Sequence, residues 1–139
     1  MIKKEFSAKN VPLETISDII TKTLRIYGYD KIFVDVETNP KDEDDRLFRI
    51  QAFKKGKFGD STTLLPPIKF QIRGKSSYFL IAQQWINDRS DLADSIILGF
   101  TGIVIGMVRS LQRKRMEKKY WSLIEKRIDL LIDSKKLVA

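Results

Sequence analysis

Residues 68–85 read IKFQIRGKSSYFLIAQQW. Ile68, Phe70 and Ile72 alternate with Lys69, Gln71 and Arg73, a period of two that sends apolar and polar side chains to opposite faces of a strand. The Gly74-Lys75-Ser76 turn then leads into SYFLIAQQW, the expected hairpin partner. Working outward, IFVDVE sets Ile32, Val34 and Val36 against Phe33, Asp35 and Glu37. LFRIQAF sets Phe48, Ile50 and Ala52 against Arg49 and Gln51, and the N-terminal IKKEFSA alternates more weakly as a first strand. Such alternation predicts an antiparallel sheet of four to five strands with one buried and one wet face.

A helix is expected between the first two strands. Asn10 or the backbone near it caps it, and Pro12 is tolerated in its first turn. Leu13, Ile16, Ile20, Leu24 and Tyr27 form its apolar face, and Gly28 is placed to end it. From about Asp88 the periodicity turns helical and stays so. A helix within SIILGFTGIVIGMVRS (95–110) is followed by an amphipathic one. In the latter, Met116, Tyr120, Leu123, Ile124, Ile128, Leu131 and Ile132 share one side. Lys118, Lys119, Ser122, Glu125, Lys126, Asp129 and Asp133 share the other. The predicted class is α+β, with one N-terminal and two C-terminal helices around the sheet. A single domain spans 1–139, divided into helix plus sheet over 1–87 and a helical part over 88–136.

This order of elements, a long helix following a curved antiparallel sheet, resembles a reduced helix-grip (SRPBCC) domain over roughly residues 1 to 110. The resemblance implies a small ligand held between sheet and long helix, although no residue here matches such a role.

The chain carries 26 Lys and Arg against 18 Asp and Glu, a net charge of +8, with no histidine and no cysteine. Disulfides, thiolate metal sites and Cys nucleophiles are excluded, and the commonest general base and nitrogen ligand are missing. Neither GxxxxGK nor GxGxxG occurs. A non-enzymatic protein without metal or cofactor is the expectation. KDEDDR (41–46) lacks the glycine and closing glutamate of a calcium loop and reads as a solvated hairpin connection. Asp88, Asp91 and Asp94 suit a helix N-terminus better than a magnesium site. MIKKEFSAKNVP contains no apolar segment of a secretory signal, so a cytoplasmic location is the default.

The positive charge points to an anionic partner. Arg109, Arg113, Lys114, Arg115, Lys118 and Lys119 stand against Glu117 alone, a net +5 within 11 residues. Spread along a helix, they can neutralise several phosphates; the alternative is a solvated face with cations near a helix end. The wet sheet face adds Lys69 and Arg73, and the loop KKGKFGD adds Lys54, Lys55 and Lys57 beside Phe53 and Phe58, a composition that can track a nucleic-acid backbone and stack on a base. Arg49 on that face instead offsets Asp35 and Glu37. Gly56-Lys57-Phe58-Gly59 matches the GXXG of KH domains, but there the motif joins two helices and here it follows a strand.

Ser95, Gly99, Gly102, Gly106 and Ser110 form one stripe of small residues at helical spacing. Glycine costs about 1 kcal/mol in a helix relative to alanine, so the stripe calls for a close backbone contact, on the sheet or across a homodimer. The apolar run 96–108 is 13 residues, short of the about 20 that span a bilayer. The leading expectation is a basic protein, a homodimer, docking on RNA as a ribosome-associated factor. The alternatives are a membrane-associated protein that inserts 95–108 beside its polybasic segment, and a helix-grip ligand carrier.

Overall fold

The computed structural model describes residues 1–8, 10–54, 65–86 and 100–138, with the side chains of the last stretch from 111 to 133. The elements run β1 (Ile2–Ser7), α1 (Leu13–Ile26), β2 (Lys31–Asn39), β3 (Asp42–Phe53), β4 (Ile68–Gly74), β5 (Tyr78–Trp85) and α2 (Phe100–Val138). The five strands form one sheet in the order β1-β5-β4-β3-β2, antiparallel throughout. All five strands expected from the alternation are present.

The registers put Ala52, Ile68 and Trp85 in one row of the sheet, Ile50, Phe70 and Gln83 in the next, and Phe48, Ile72 and Ile81 in a third. This face is buried under α1 and α2, and its side chains join Leu13, Ile16, Ile20, Leu24, Tyr120, Trp121, Ile124 and Ile128 in one core. The opposite parity carries Arg49, Gln51, Lys69, Gln71 and Arg73 on the far side of the sheet, as the alternation predicts. The strand order makes β1 and β2 the two edges.

Helix α1 begins one residue after Pro12, which holds the N-cap position with no side-chain cap. The Pro12 carbonyl accepts from the amides of Thr15 and Ile16, while Asn10 takes a positive φ of 54°. At the other end Gly28 donates to Arg25 O and Tyr29 to Leu24 O, the paired bonds of a Schellman cap. Gly28 has φ +105°, which a glycine adopts without penalty.

Among the described residues, the two C-terminal helices of the sequence reading are corrected to one. α2 runs unbroken for 39 residues, about 58 Å. No glycine or proline occurs between Met107 and Val138, and the Gln-, Arg-, Lys- and Glu-rich junction consists of good helix formers. The change in apolar pattern falls within one continuous helix. Leu111, 58% exposed, stands on the surface, and among the described side chains of α2 the first apolar one packed against the core is Met116.

KDEDDR is likewise more ordered than a loop. The β2–β3 turn is confined to Pro40 and Lys41, and strand β3 begins at Asp42. Lys75 meets Asp42 at 2.7 Å and Ser76 donates to Asp44 at 3.3 Å, while Arg46 pairs with Glu14. The hydrogen bond from Lys75 holds the Asp42 carboxyl below its ordinary range and raises the Lys75 ammonium in return.

Among the described residues of the sheet, one core position departs from the apolar rule. Gln83 is 1% exposed on the helix-facing side of β5, and neither atom of its amide has a hydrogen-bond partner among the described residues. A buried amide left unpaired costs about 1–3 kcal/mol. Gln83→Met, similar in shape, is therefore expected to raise stability by about 1 kcal/mol in a denaturant titration. A loss of stability would show that the amide has a partner.

Candidate nucleic-acid interface

The basic run lies on α2 just where the helix meets the core, and the structure divides it. Met116, Glu117, Tyr120 and Trp121 turn towards the sheet, and Arg113 is half-buried with them. Lys114, Arg115, Lys118 and Lys119 are exposed. Lys114 with Lys118, and Arg115 with Lys119, make two rows at i, i+4, each pair about 6 Å apart along the axis. No acidic side chain interrupts this stripe, because Glu117 points inward.

The inner side of the same two turns is held by aromatic packing. The Tyr120 ring lies 4.8 Å from Tyr27, 6.1 Å from Tyr29 and 6.4 Å from Trp85, centre to centre. Tyr120 donates to the Tyr29 hydroxyl at 3.5 Å, and Tyr29 donates to the Pro66 carbonyl at 2.8 Å. Burial pushes both phenols above their ordinary range. The Trp85 indole N–H donates to Glu117, and the Arg113 guanidinium lies 6.0 Å from the Trp85 ring centre, within reach of a cation–π contact. Glu117 and Arg113 are thus both engaged at Trp85, which holds the rotation of the helix and aims the outer cations at solvent.

One turn further on, Trp121 packs on Phe70 at 5.7 Å, and Lys4 of β1 approaches its ring at 5.1 Å while pairing with Glu125. Glu125, expected on the solvent side, is therefore half-buried against the sheet. Trp121 lies outside the predicted apolar face. Adjacent large aromatics at 120 and 121 are the signal that this face is wider than a single i, i+4 stripe.

The other predicted cations are scattered. Lys69 is half-buried and Arg73 exposed on the sheet face opposite to α2. Neither can share a flat contact with the helix stripe. Arg49 on that face is occupied by Asp35 at 3.2 Å and Glu37 at 2.8 Å, and the bond to Glu37 raises its guanidinium pKa further. Lys54 is exposed at the end of β3, beside Gly28. Arg109 lies on the α2 backbone, its side chain outside the described residues. Lys55 and Lys57 lie outside them altogether, as do Ser95 and Gly99 of the small-residue stripe. Gly102, Gly106 and Ser110 fall on the α2 backbone, but their surroundings are not among the described residues. Asp88, Asp91 and Asp94 are outside too.

Among the described residues no group of carboxylates is arranged to hold a metal, and no helix is long and apolar enough to cross a membrane. A surface hollow of about 390 Å³ between the start of α1 and β3 is lined by Glu14, Asp44, Arg46 and Ser76 among others. There Glu14 pairs with Arg46, and Asp44 accepts from the Ser76 hydroxyl. No family model, curated protein or solved structure matches the chain.

Proposed function

We propose that this chain is a non-enzymatic binding protein that docks on RNA through the exposed stripe of α2, with a ribosomal particle as its target. The supporting observation is the stripe itself: Lys114, Arg115, Lys118 and Lys119 are exposed side by side, while the acid within the run is turned inward to Trp85. Four cations on a rigid helix meet a polyanion without first ordering a loop, and each neutralised phosphate releases bound counterions. The lack of histidine and cysteine leaves a binding role as the simplest use of such a surface.

Replacing all four residues with glutamine keeps good helix formers in place, so the melting temperature should hold. Affinity for RNA should fall steeply, and the slope of log affinity against log salt should become shallower by roughly 3, at about 0.7–0.9 per phosphate contact. Lys69→Gln with Arg73→Gln, on the other face of the sheet, should change neither. Unaltered RNA binding and slope in the quadruple variant would remove the stripe from the interface. Wild-type binding to anionic vesicles but not to RNA would favour a membrane surface instead.

A further inference from the structure

The two edges of the sheet differ in a way that bears on self-association. An unprotected edge strand is a template for pairing, and proteins guard edges with short strands or with charged residues on the inner face. Strand β1 follows that rule: it has six residues, and Lys4, on its helix-facing side, pairs with Glu125. Strand β2 does not. It runs for nine residues, and its helix-facing positions are Ile32, Val34 and Val36, opposite Ala52, Ile50 and Phe48. Val34 and Val36 remain 47% and 46% exposed, and Phe33 on the other face is 55% exposed. Its irregularity in pairing comes at Thr38 and Asn39, beyond the apolar positions.

We infer that β2 is a homodimer interface, at which two copies join edge to edge, antiparallel, about a two-fold axis at Val34. The order of residues in β2 is self-complementary in this register. Val34 faces Val34 of the copy and Ile32 faces Val36, so the three inner residues form a continuous apolar row. On the outer face Lys31 stands opposite Glu37, twice by symmetry, and such opposite-charge pairs favour the register. A two-fold axis at Asp35 would instead set that carboxylate against itself. With the axis at Val34, the two Asp35 residues are only diagonal neighbours, and each is neutralised within its own chain by Arg49. Pairing about Phe33 also aligns Lys31 with an acid, Asp35, but it shortens the overlap within the strand to residues 31–35 and leaves Val36 outside it. The Val34 register pairs residues 31–37 and uses every exposed apolar residue of β2. The joined sheet has ten strands. The β2 edge is separate from the cations of α2, and its pairing does not depend on the RNA reading.

Sedimentation equilibrium of the full chain over a concentration series tests it. A reversible dimer is expected. Val34→Lys places a charge on the axis at a site half-exposed in the monomer, so dimerisation should be lost while the melting temperature of the dilute protein is kept. Lys31→Glu turns two ion pairs into two like-charge contacts and should weaken the dimer roughly tenfold. Adding Glu37→Lys to it reverses both partners and should restore association, with Arg49 still held by Asp35. A wild type that stays monomeric, or a dimer indifferent to Val34→Lys, overturns the interface. Failure of the charge exchange to restore the dimer overturns the register. RNA affinity of the dilute monomer, measured separately, reports on the α2 stripe alone.

Discussion

Gly74→Ala is expected to destabilise the fold by about 3 kcal/mol or more, lowering the melting temperature by roughly 10 °C for a chain of this size. Gly74 ends β4 with φ +134°, a conformation closed to residues with a side chain. A Cβ built there would stand 2.5 Å from the Tyr78 carbonyl oxygen and 2.9 Å from the Phe79 Cα. Both obstacles are backbone, so no rotamer change relieves them. The hairpin cannot simply shift. Lys75 and Tyr78 exchange backbone hydrogen bonds across the Ser76-Ser77 loop, and the carbonyls of those two serines accept from Val11 and Ala8. Moving the turn therefore disturbs the connection from β1 to α1 as well. A change below about 1 kcal/mol in a denaturant midpoint would show that the hairpin adapts without loss.

Tyr120→Ala should cost about 3–5 kcal/mol, the usual range for emptying a buried aromatic site. The ring is the common neighbour of Tyr27, Tyr29 and Trp85, so its removal separates α2 from the end of α1 and from β5 together. Tyr120→Phe keeps the ring and gives up only a hydrogen bond at 3.5 Å, so it should cost less than about 1 kcal/mol. The phenols supply a pH signature with a definite sign. Both are raised by burial, hence the fold favours their protonated form. Their contribution is fully present below the ordinary tyrosine pKa of about 10 and is lost as pH climbs above it. Comparing alkaline unfolding of the wild type with that of Tyr120→Phe measures the share of Tyr120, and identical curves would remove that share.

The elements of this fold that were legible in the sequence are those set by short-range periodicity. Ile68 to Ile72 announced a strand and its buried face, and Gly28 announced the end of α1, because each depends on residues within one turn or one pleat. The continuity of α2 was less visible. Its apolar pattern changes near Arg109, and a change of pattern within one helix reads in sequence like a change of helix. The acidic run 41–46 reads as a hairpin connection because its partners, Lys75, Ser76 and Glu14, are about 30 residues distant in the chain. For the candidate site, charge density pointed to the basic run, but composition alone could not separate Arg113, drawn to Trp85, from its outward neighbours. Nor did alternation reveal sheet order, so the difference between the β1 and β2 edges emerges only in three dimensions.

The placement of β1 at the far edge has a consequence during synthesis. Its six residues are made more than 70 positions before their partners, Tyr78 to Gln83. At about 5–20 residues per second, roughly 4 to 16 s pass before the sheet can accept its first strand. Strands β2 to β5 are meanwhile free to pair in sequence as a meander of successive neighbours. β1 joins by the longest-range pairing in the sheet, the kind of contact that slows folding. Through that interval IKKEFS waits as an unpaired segment with three charges in six residues, a composition that discourages it from pairing with the β1 of another nascent chain.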